Sequence, residues 1–218
     1  MLFQYLPAFK VDPLQATFQI VVLLAVIALS VTVHEFSHAF ASNYLGDRTA
    51  KLLGRLTMNP ASHIDPLGAL IFLVAGFGWG KPVPVNPYRL RKISPKAGLA
   101  IVSLSGPISN LITAFFSGLI ATGFYNTHPV IAQIALLSAY INVLLAVFNL
   151  IPLPPLDGFK VALGLLPDKS ANFYSQLEKY GPMPLFALLL VEMAVPGISI
   201  IGLVVEKPVS MILNSLLL

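Results

Sequence analysis

The chain has 218 residues, of which 56% are apolar and only 10% charged, with a mean hydropathy of +0.83 and a formal net charge of +4. Soluble domains carry about 25% charged residues, so this composition excludes a soluble globular enzyme, a disordered tail and a nucleic-acid binder, and points to one polytopic membrane domain. The basic balance needs no nucleic acid, since Lys and Arg beside membrane helices are a topology signal. The absence of cysteine excludes disulfides and thiolate metal sites.

No signal-peptide pattern is read in Met1–Val11. Residues 17–33 are almost wholly apolar, and the run continues through His-Glu-Phe-Ser-His to Tyr44, long enough to span a hydrocarbon core of about 30 Å. Gly46-Asp47-Arg48 ends it. Residues 49–66 are polar and broken by Asn59-Pro60 and Asp65-Pro66. Residues 67–77 are apolar but short, and glycines at 68, 76, 78 and 80 interrupt or end them. Residues 81–87, Lys-Pro-Val-Pro-Val-Asn-Pro, read as extended chain, because proline biases its predecessor away from helix. After the basic cluster Arg89, Arg91, Lys92 and Lys96 come a second span at 97–124, an uncharged turn at 126–129 and a third span at 130–151. Pro152, Pro154 and Pro155 break the third. Residues 157–182 are polar with one short surface helix, 183–205 read as a fourth span bent at Pro196-Gly197, and 210–218 as a short tail. The expected fold is all-α and polytopic: about four spanning helices, a three-helix catalytic core and a short re-entrant or β-hairpin segment.

Charge orients these elements. Residues 41–96 hold eight Lys or Arg and residues 152–182 hold three, whereas Lys10 and Lys207 alone remain for the other side. The positive-inside rule then places both basic segments in the cytosol and both termini outside. If residues 66–80 crossed the membrane, every later helix would invert and the charges would disagree. A segment that dips in and returns keeps them consistent, and chain of this kind at membrane depth needs a protein- or water-lined cavity.

His34-Glu35-Phe36-Ser37-His38 places two imidazoles at i and i+4, on one helix face, where both reach one ion. Imidazole suits Zn²⁺, and Glu35, one residue further round, is placed to act on water at the metal rather than on the metal itself. Three ionisable groups in an apolar helix are costly enough to imply function. A catalytic zinc needs a third protein ligand and an open position. Asp157, after the proline-rich 148–156 stretch and before Gly158, is the preferred candidate, with Asp65, Glu192 and His63 as rivals.

Together, His34-Glu35-x-x-His38 in a span and Asn149 followed by Pro-x-Pro-Pro-x-Asp157-Gly158 resemble the site-2 protease family of intramembrane zinc metalloproteases. Gly106-Pro-Ile-Ser-Asn110 resembles that family's small-residue motif, and residues 59–68 resemble its small bacterial and archaeal members, without PDZ or CBS domains. The resemblance covers most of residues 17–165 and implies that His34, His38 and Asp157 bind one zinc, that Glu35 is the catalytic base, and that Asn149 lies beside the site and touches substrate. It leaves the helix at 183–205 outside the shared core. Asn149 is equally suited to satisfying carbonyls freed by the prolines. Gly106 and Asn110 read first as helix-packing residues. Val83 and Val85, with residues 50–57, form a strip on which an unwound substrate could add a strand; a lid without substrate contact is the alternative.

The implied enzyme sits in a bacterial cell membrane with its active site open to the cytosol, and cleaves a transmembrane-helix protein or peptide. Its partners are that substrate and the lipid bilayer. The sequence leaves open a homodimer and the substrate's identity. A non-proteolytic metal-binding protein is disfavoured by Glu35, which a closed structural site would not use. A metal transporter is disfavoured by the lack of an inverted repeat.

Overall fold

A computed structural model of the chain describes residues 10–75, 78–194, 200 and 202–217. The expected bend at Pro196-Gly197, the break at Gly76 and most of the stretch examined for a signal peptide lie outside these residues.

Helix α1 runs Pro13–Leu45. The Asp12 carboxylate accepts from the Gln15 N–H at 3.0 Å, and Pro13 sits in the first turn, where its missing N–H costs nothing. Gly46, at φ 115°, ends the helix, and its N–H and that of Asp47 bond back to the Asn43 and Ser42 carbonyls. The short helix α2, Thr49–Leu52, and a 3₁₀ turn at Pro60–Ser62 lead into α3, Pro66–Ala75. Ten residues rise about 15 Å, half a hydrocarbon core. The ends of this segment meet: Ile64 and Gly80 form an antiparallel bridge, and the Lys81 N–H donates to the His63 carbonyl at 2.8 Å. Residues 66–80 therefore turn back to where they began. That isolated bridge is the only β pairing among the described residues, so the expected hairpin is reduced to one contact. Residues 50–57 are not the extended strip expected either: Thr49–Leu52 are helical and Gly54 turns at φ 70°.

Helix α4, Pro95–Phe124, and helix α5, Pro129–Asn149, each start with proline in the first turn. The turn between them makes them antiparallel neighbours. Beyond the proline-rich loop follow α6, Asp157–Leu165, α7, Asp168–Tyr174, a 3₁₀ turn at Ser175–Tyr180, α8, Met183–Ala194, a π-helical turn at Gly202–Glu206 and α9, Lys207–Leu217. Lys96 ties the start of α4 to this region, donating to the Leu166 carbonyl at 2.5 Å and to Asp168 at 2.7 Å.

Among the described residues three helices, α1, α4 and α5, are long and apolar enough to cross a membrane, rather than four. Of the fourth expected span, 183–205, residues 195–199 and 201 lie outside the described ones; those described hold α8, Met183–Ala194, and Val205 in the π turn. Val205 and Val209 join Leu185 in a core with Ala114 of α4 and Val143 of α5, so the C-terminal segments pack on the bundle.

The packing is inverted relative to a water-soluble bundle. Buried positions on the three long helices are largely small: Ala16, Ala39, Gly98, Gly106, Ala114, Gly118 and the alanines at 132, 135, 139 and 146. Large apolar side chains such as Phe18, Leu29, Ile112, Phe115, Phe116 and Leu136 point outward. Lipid tails solvate Phe and Leu as well as a core would, so helix association relies on close backbone approach at small residues.

Candidate metal centre

The C-terminal half of α1 carries His34 and His38, both buried. Their Nε2 atoms lie 3.1 Å apart, and each faces Oδ2 of Asp157, at 3.0 and 3.1 Å. Among the described residues these three form the one group of His, Asp or Glu whose ligand atoms converge. The structure thus joins the histidine pair to a carboxylate 119 residues downstream of His38.

Local chemistry fixes which nitrogen of each ring faces the group. The His38 Nδ1 lies 2.7 Å from the Val102 carbonyl, which only accepts, so Nδ1 carries the hydrogen. The His34 Nδ1 lies 2.6 Å from Oδ1 of Asn110. That amide cannot be reversed, because its nitrogen donates to the Ser30 carbonyl at 3.2 Å and to Oδ1 of Asn142 at 2.7 Å. Asn142 in turn donates to the Ser30 hydroxyl at 2.8 Å. A fully buried chain of amides from α1, α4 and α5 therefore orients His34. With both rings neutral, two Nε2 lone pairs and a carboxylate oxygen face one another within 3.1 Å, a donor set that a cation would hold together. Ligand atoms about 2.0–2.1 Å from a tetrahedral zinc are roughly 3.3 Å apart, so the triangle has nearly the size the ion needs. The residues fit zinc, and the oxygen partners on both Nδ1 atoms are those expected behind metal-ligating histidines.

Two glycines make the convergence sterically feasible. A Cβ on Gly106 would lie 2.5 Å from the His38 Nε2 and 2.7 Å from the His34 ring. Only hydrogen fits between α4 and the imidazoles. A Cβ on Gly158 would lie 2.2 Å from the Leu150 carbonyl oxygen. Gly158 thus lets α6 start against the end of α5, which seats Asp157 at the first turn of α6. Its backbone φ is not positive, so close approach is the reason for glycine. Gly106→Val is expected to push the imidazoles apart, lowering zinc affinity roughly 10–100-fold or more, the scale of lost metal-site support. Metal content after dialysis against a graded chelator series would check this.

Glu35 lies half-buried outside the triangle, beside Gly80, where a Cβ would sit 3.6 Å from its Oε1. Arg55, buried, donates to the Lys81 carbonyl next to Gly80. Asp47, fully buried, accepts from the Asn86 N–H at 2.7 Å and from Thr49 and Ser42. Burial pushes its carboxyl up, but those hydrogen bonds outweigh this and hold it below the usual range. The strip 81–86 is pinned at both ends in this way. Between the pins, the backbones of Val83 and Val85 make no hydrogen bond among the described residues.

The other candidates lie elsewhere. Asn149 donates to the Leu145 carbonyl one turn back, at 2.9 Å. Asp65 accepts from the Gly68 N–H at 2.8 Å and caps α3. The His63 Nε2 pairs with the Thr57 carbonyl at 2.8 Å. Glu192 lies on α8 and is not part of the convergent group. Asn110 and Gly106, read from sequence as packing residues, also touch the histidines directly. Asn142, Ser30 and Arg55 were not foreseen; the one available signal was the cost of two asparagines and a serine inside apolar helices.

Comparison with known proteins agrees with this geometry. The sequence profile of Peptidase family M50 matches residues 125–191. YwhC of Bacillus subtilis (strain 168) is 40% identical over 182 residues, covering 80% of this chain and 80% of its own. Rip2 of Mycolicibacterium smegmatis is 26% identical over 190 residues, 85% of this chain and 73% of its own. Rip2 of Mycobacterium tuberculosis (strain H37Rv) is 34% identical over 155 residues, 68% and 59%. All three are named as zinc metalloproteases. No solved structure matches significantly. With a convergent His–His–Asp group in an apolar helical bundle and relatives of this kind, the chain belongs to peptidase family M50 and is an intramembrane zinc metalloprotease.

Proposed function

We propose that His34, His38 and Asp157 hold the zinc ion, that Glu35 is the general base, and that the enzyme cleaves transmembrane-helix substrates from the cytosolic side of a multi-pass bundle. The observation that carries this reading is the 3.0–3.1 Å triangle of Nε2, Nε2 and Oδ2. Bound there, zinc would supply Lewis acidity to the scissile carbonyl and acidity to water. Glu35, one residue round the helix from His34, takes the proton from the attacking water and delivers it to the leaving nitrogen. Asn110 and the Val102 carbonyl hold the imidazoles in the tautomer that leaves Nε2 free. Asn149 donates one amide hydrogen to the Leu145 carbonyl, and its second N–H remains for substrate, which is the role proposed for it.

A substrate helix hides its peptide groups in its own hydrogen bonds and must unwind to react. The unpaired backbone at Val83 and Val85, on a strip that starts beside Glu35, is suited to receive unwound substrate as an added strand. The test is cleavage of a transmembrane peptide by purified protein in detergent, with zinc counted in the same sample. Chelation is expected to abolish cleavage and added zinc to restore it. Cleavage that survives complete zinc removal would sink the reading.

Orientation has its own test, made easy by the absence of cysteine. Asn126→Cys is expected to react with an impermeant thiol reagent outside intact cells. Thr49→Cys, Lys96→Cys and Ser170→Cys should react only once the cytosolic face is opened. Labelling of Thr49→Cys and Lys96→Cys from opposite faces would refute the parallel course of the His-bearing and Asp-bearing segments.

A further inference from the structure

The chemistry above leaves unused a basic pocket at the C-terminal end of α1. It has a volume of about 730 Å³ and is walled by Arg48, Arg89, Arg91 and Lys92, with Asn43 and Tyr44. All four cations are exposed, and none has a carboxylate partner among the described residues. Asp47, next to Arg48 in sequence, does not line the pocket; it is fully buried and engaged by Thr49, Ser42 and the Asn86 N–H. Four positive charges against one leave the pocket strongly cationic.

A topology signal needs only that Lys and Arg lie somewhere in the cytosolic loops, and Lys51 and Lys81 satisfy it without entering this pocket. The pocket's own cations come from two segments about 40 residues apart, and specific contacts hold them together. Gly46 packs against the backbone of residues 89–91, where a Cβ would lie 3.2 Å from the Arg91 nitrogen and 3.3 Å from the Arg89 oxygen. The Lys92 N–H donates to the Leu45 carbonyl at 3.3 Å, the Arg89 guanidinium reaches the Thr49 hydroxyl at 3.4 Å, and the Lys92 ammonium lies 4.0 Å from the centre of the Tyr44 ring. Like charges gathered by the fold repel until an anion joins them.

The location names the anion. The pocket is built on the last turn of one candidate span, α1, and on residues that directly precede another, α4 at Pro95. It therefore lies at the membrane surface, where Tyr44, largely exposed, has the aromatic character found at headgroup level. Three guanidiniums suit the oxygens of a phosphate, which they bind in pairs of parallel hydrogen bonds. We propose that this pocket binds the phosphate-bearing headgroup of an anionic phospholipid. Residues 89–92 close the stretch that begins beside Glu35 at Gly80, so a bound lipid ties that stretch to the cap of α1.

The test uses the purified full chain in neutral detergent, with phosphatidylglycerol or phosphatidylcholine added and retained lipid counted by native mass spectrometry. Wild-type protein should retain one phosphatidylglycerol in preference to phosphatidylcholine. Arg89→Gln combined with Arg91→Gln should weaken that retention about 30-fold, at the usual worth of two basic residues near anionic lipid. Lys169→Gln with Lys179→Gln, on exposed sites outside the pocket, should leave it unchanged. If the double arginine variant melts early, Arg48→Gln and Lys92→Gln singly carry the same expectation at smaller size. Equal retention of both lipids, or undiminished retention in the pocket variants, overturns the proposal. Inorganic phosphate is the competing arm: displacement of phosphatidylglycerol by phosphate at equal concentration would make the pocket a soluble-anion site and also overturn it.

Discussion

Glu35→Gln is expected to lower peptide cleavage by roughly 10²–10⁴-fold, the usual worth of a positioned general base, while zinc remains near one per chain. The reason is geometric. The ligand atoms at the centre belong to His34, His38 and Asp157, and Glu35 lies outside that triangle beside Gly80. Glutamine keeps the size and the hydrogen-bonding reach of glutamate but cannot take a proton from water at neutral pH. Helix α1 should be unaffected, since residue 35 is half-buried and glutamine is a good helix former. Zinc content by metal analysis and cleavage of a transmembrane peptide, measured on one preparation, separate the two effects. Loss of zinc with activity would make Glu35 a ligand.

Asp157→Ala is expected to fail differently, losing zinc as well as activity. Its Oδ2 is the one anionic atom facing the two Nε2 lone pairs, at 3.0 and 3.1 Å. Two imidazoles alone make a poor zinc site, so affinity should fall by at least roughly 100-fold, beyond the range for loss of a supporting contact. The fold should persist, because α6 is held independently: Phe159 is buried against the Tyr174 ring at 4.9 Å, and the Tyr174 hydroxyl donates to the Pro152 carbonyl. Full zinc occupancy in Asp157→Ala would move the third ligand to another residue. The pairing of the two variants is informative: one separates chemistry from metal, and the other removes both.

Much of this was legible in the sequence because the relevant patterns are local or compositional. A chain with 10% charged residues and runs of apolar residues spanning about 30 Å has no soluble fold available to it. The i, i+4 spacing of His34 and His38 puts two imidazoles on one face of any helix, whatever surrounds it. Asp157 was reached by its resemblance to a motif and by its place after a span, since no local period links it to His38.

The tertiary structure decided what depends on distances between elements far apart in the chain. Gly106 and Asn110 lie on α4 and read as packing residues; only the crossing of α4 on α1 puts one against both imidazoles and the other on the His34 Nδ1. Asn142 and Ser30 become part of the centre because three helices meet at that level. The sequence reads 183–205 as a span and 210–218 as a tail, yet described residues of both, Leu185, Val205 and Ile212, pack on Ala114 of α4 and Val143 of α5. Hydropathy records that such residues avoid water and is silent on whether lipid or protein covers them. The basic pocket is the same case: charge counts lead one to expect its residues on one side of the membrane, while the contact of Gly46 with residues 89–91 gathers them around one cavity. Sequence periodicity fixes which face of a helix a residue occupies, and only the packing of helices, set here by small residues at their contacts, determines what that face meets.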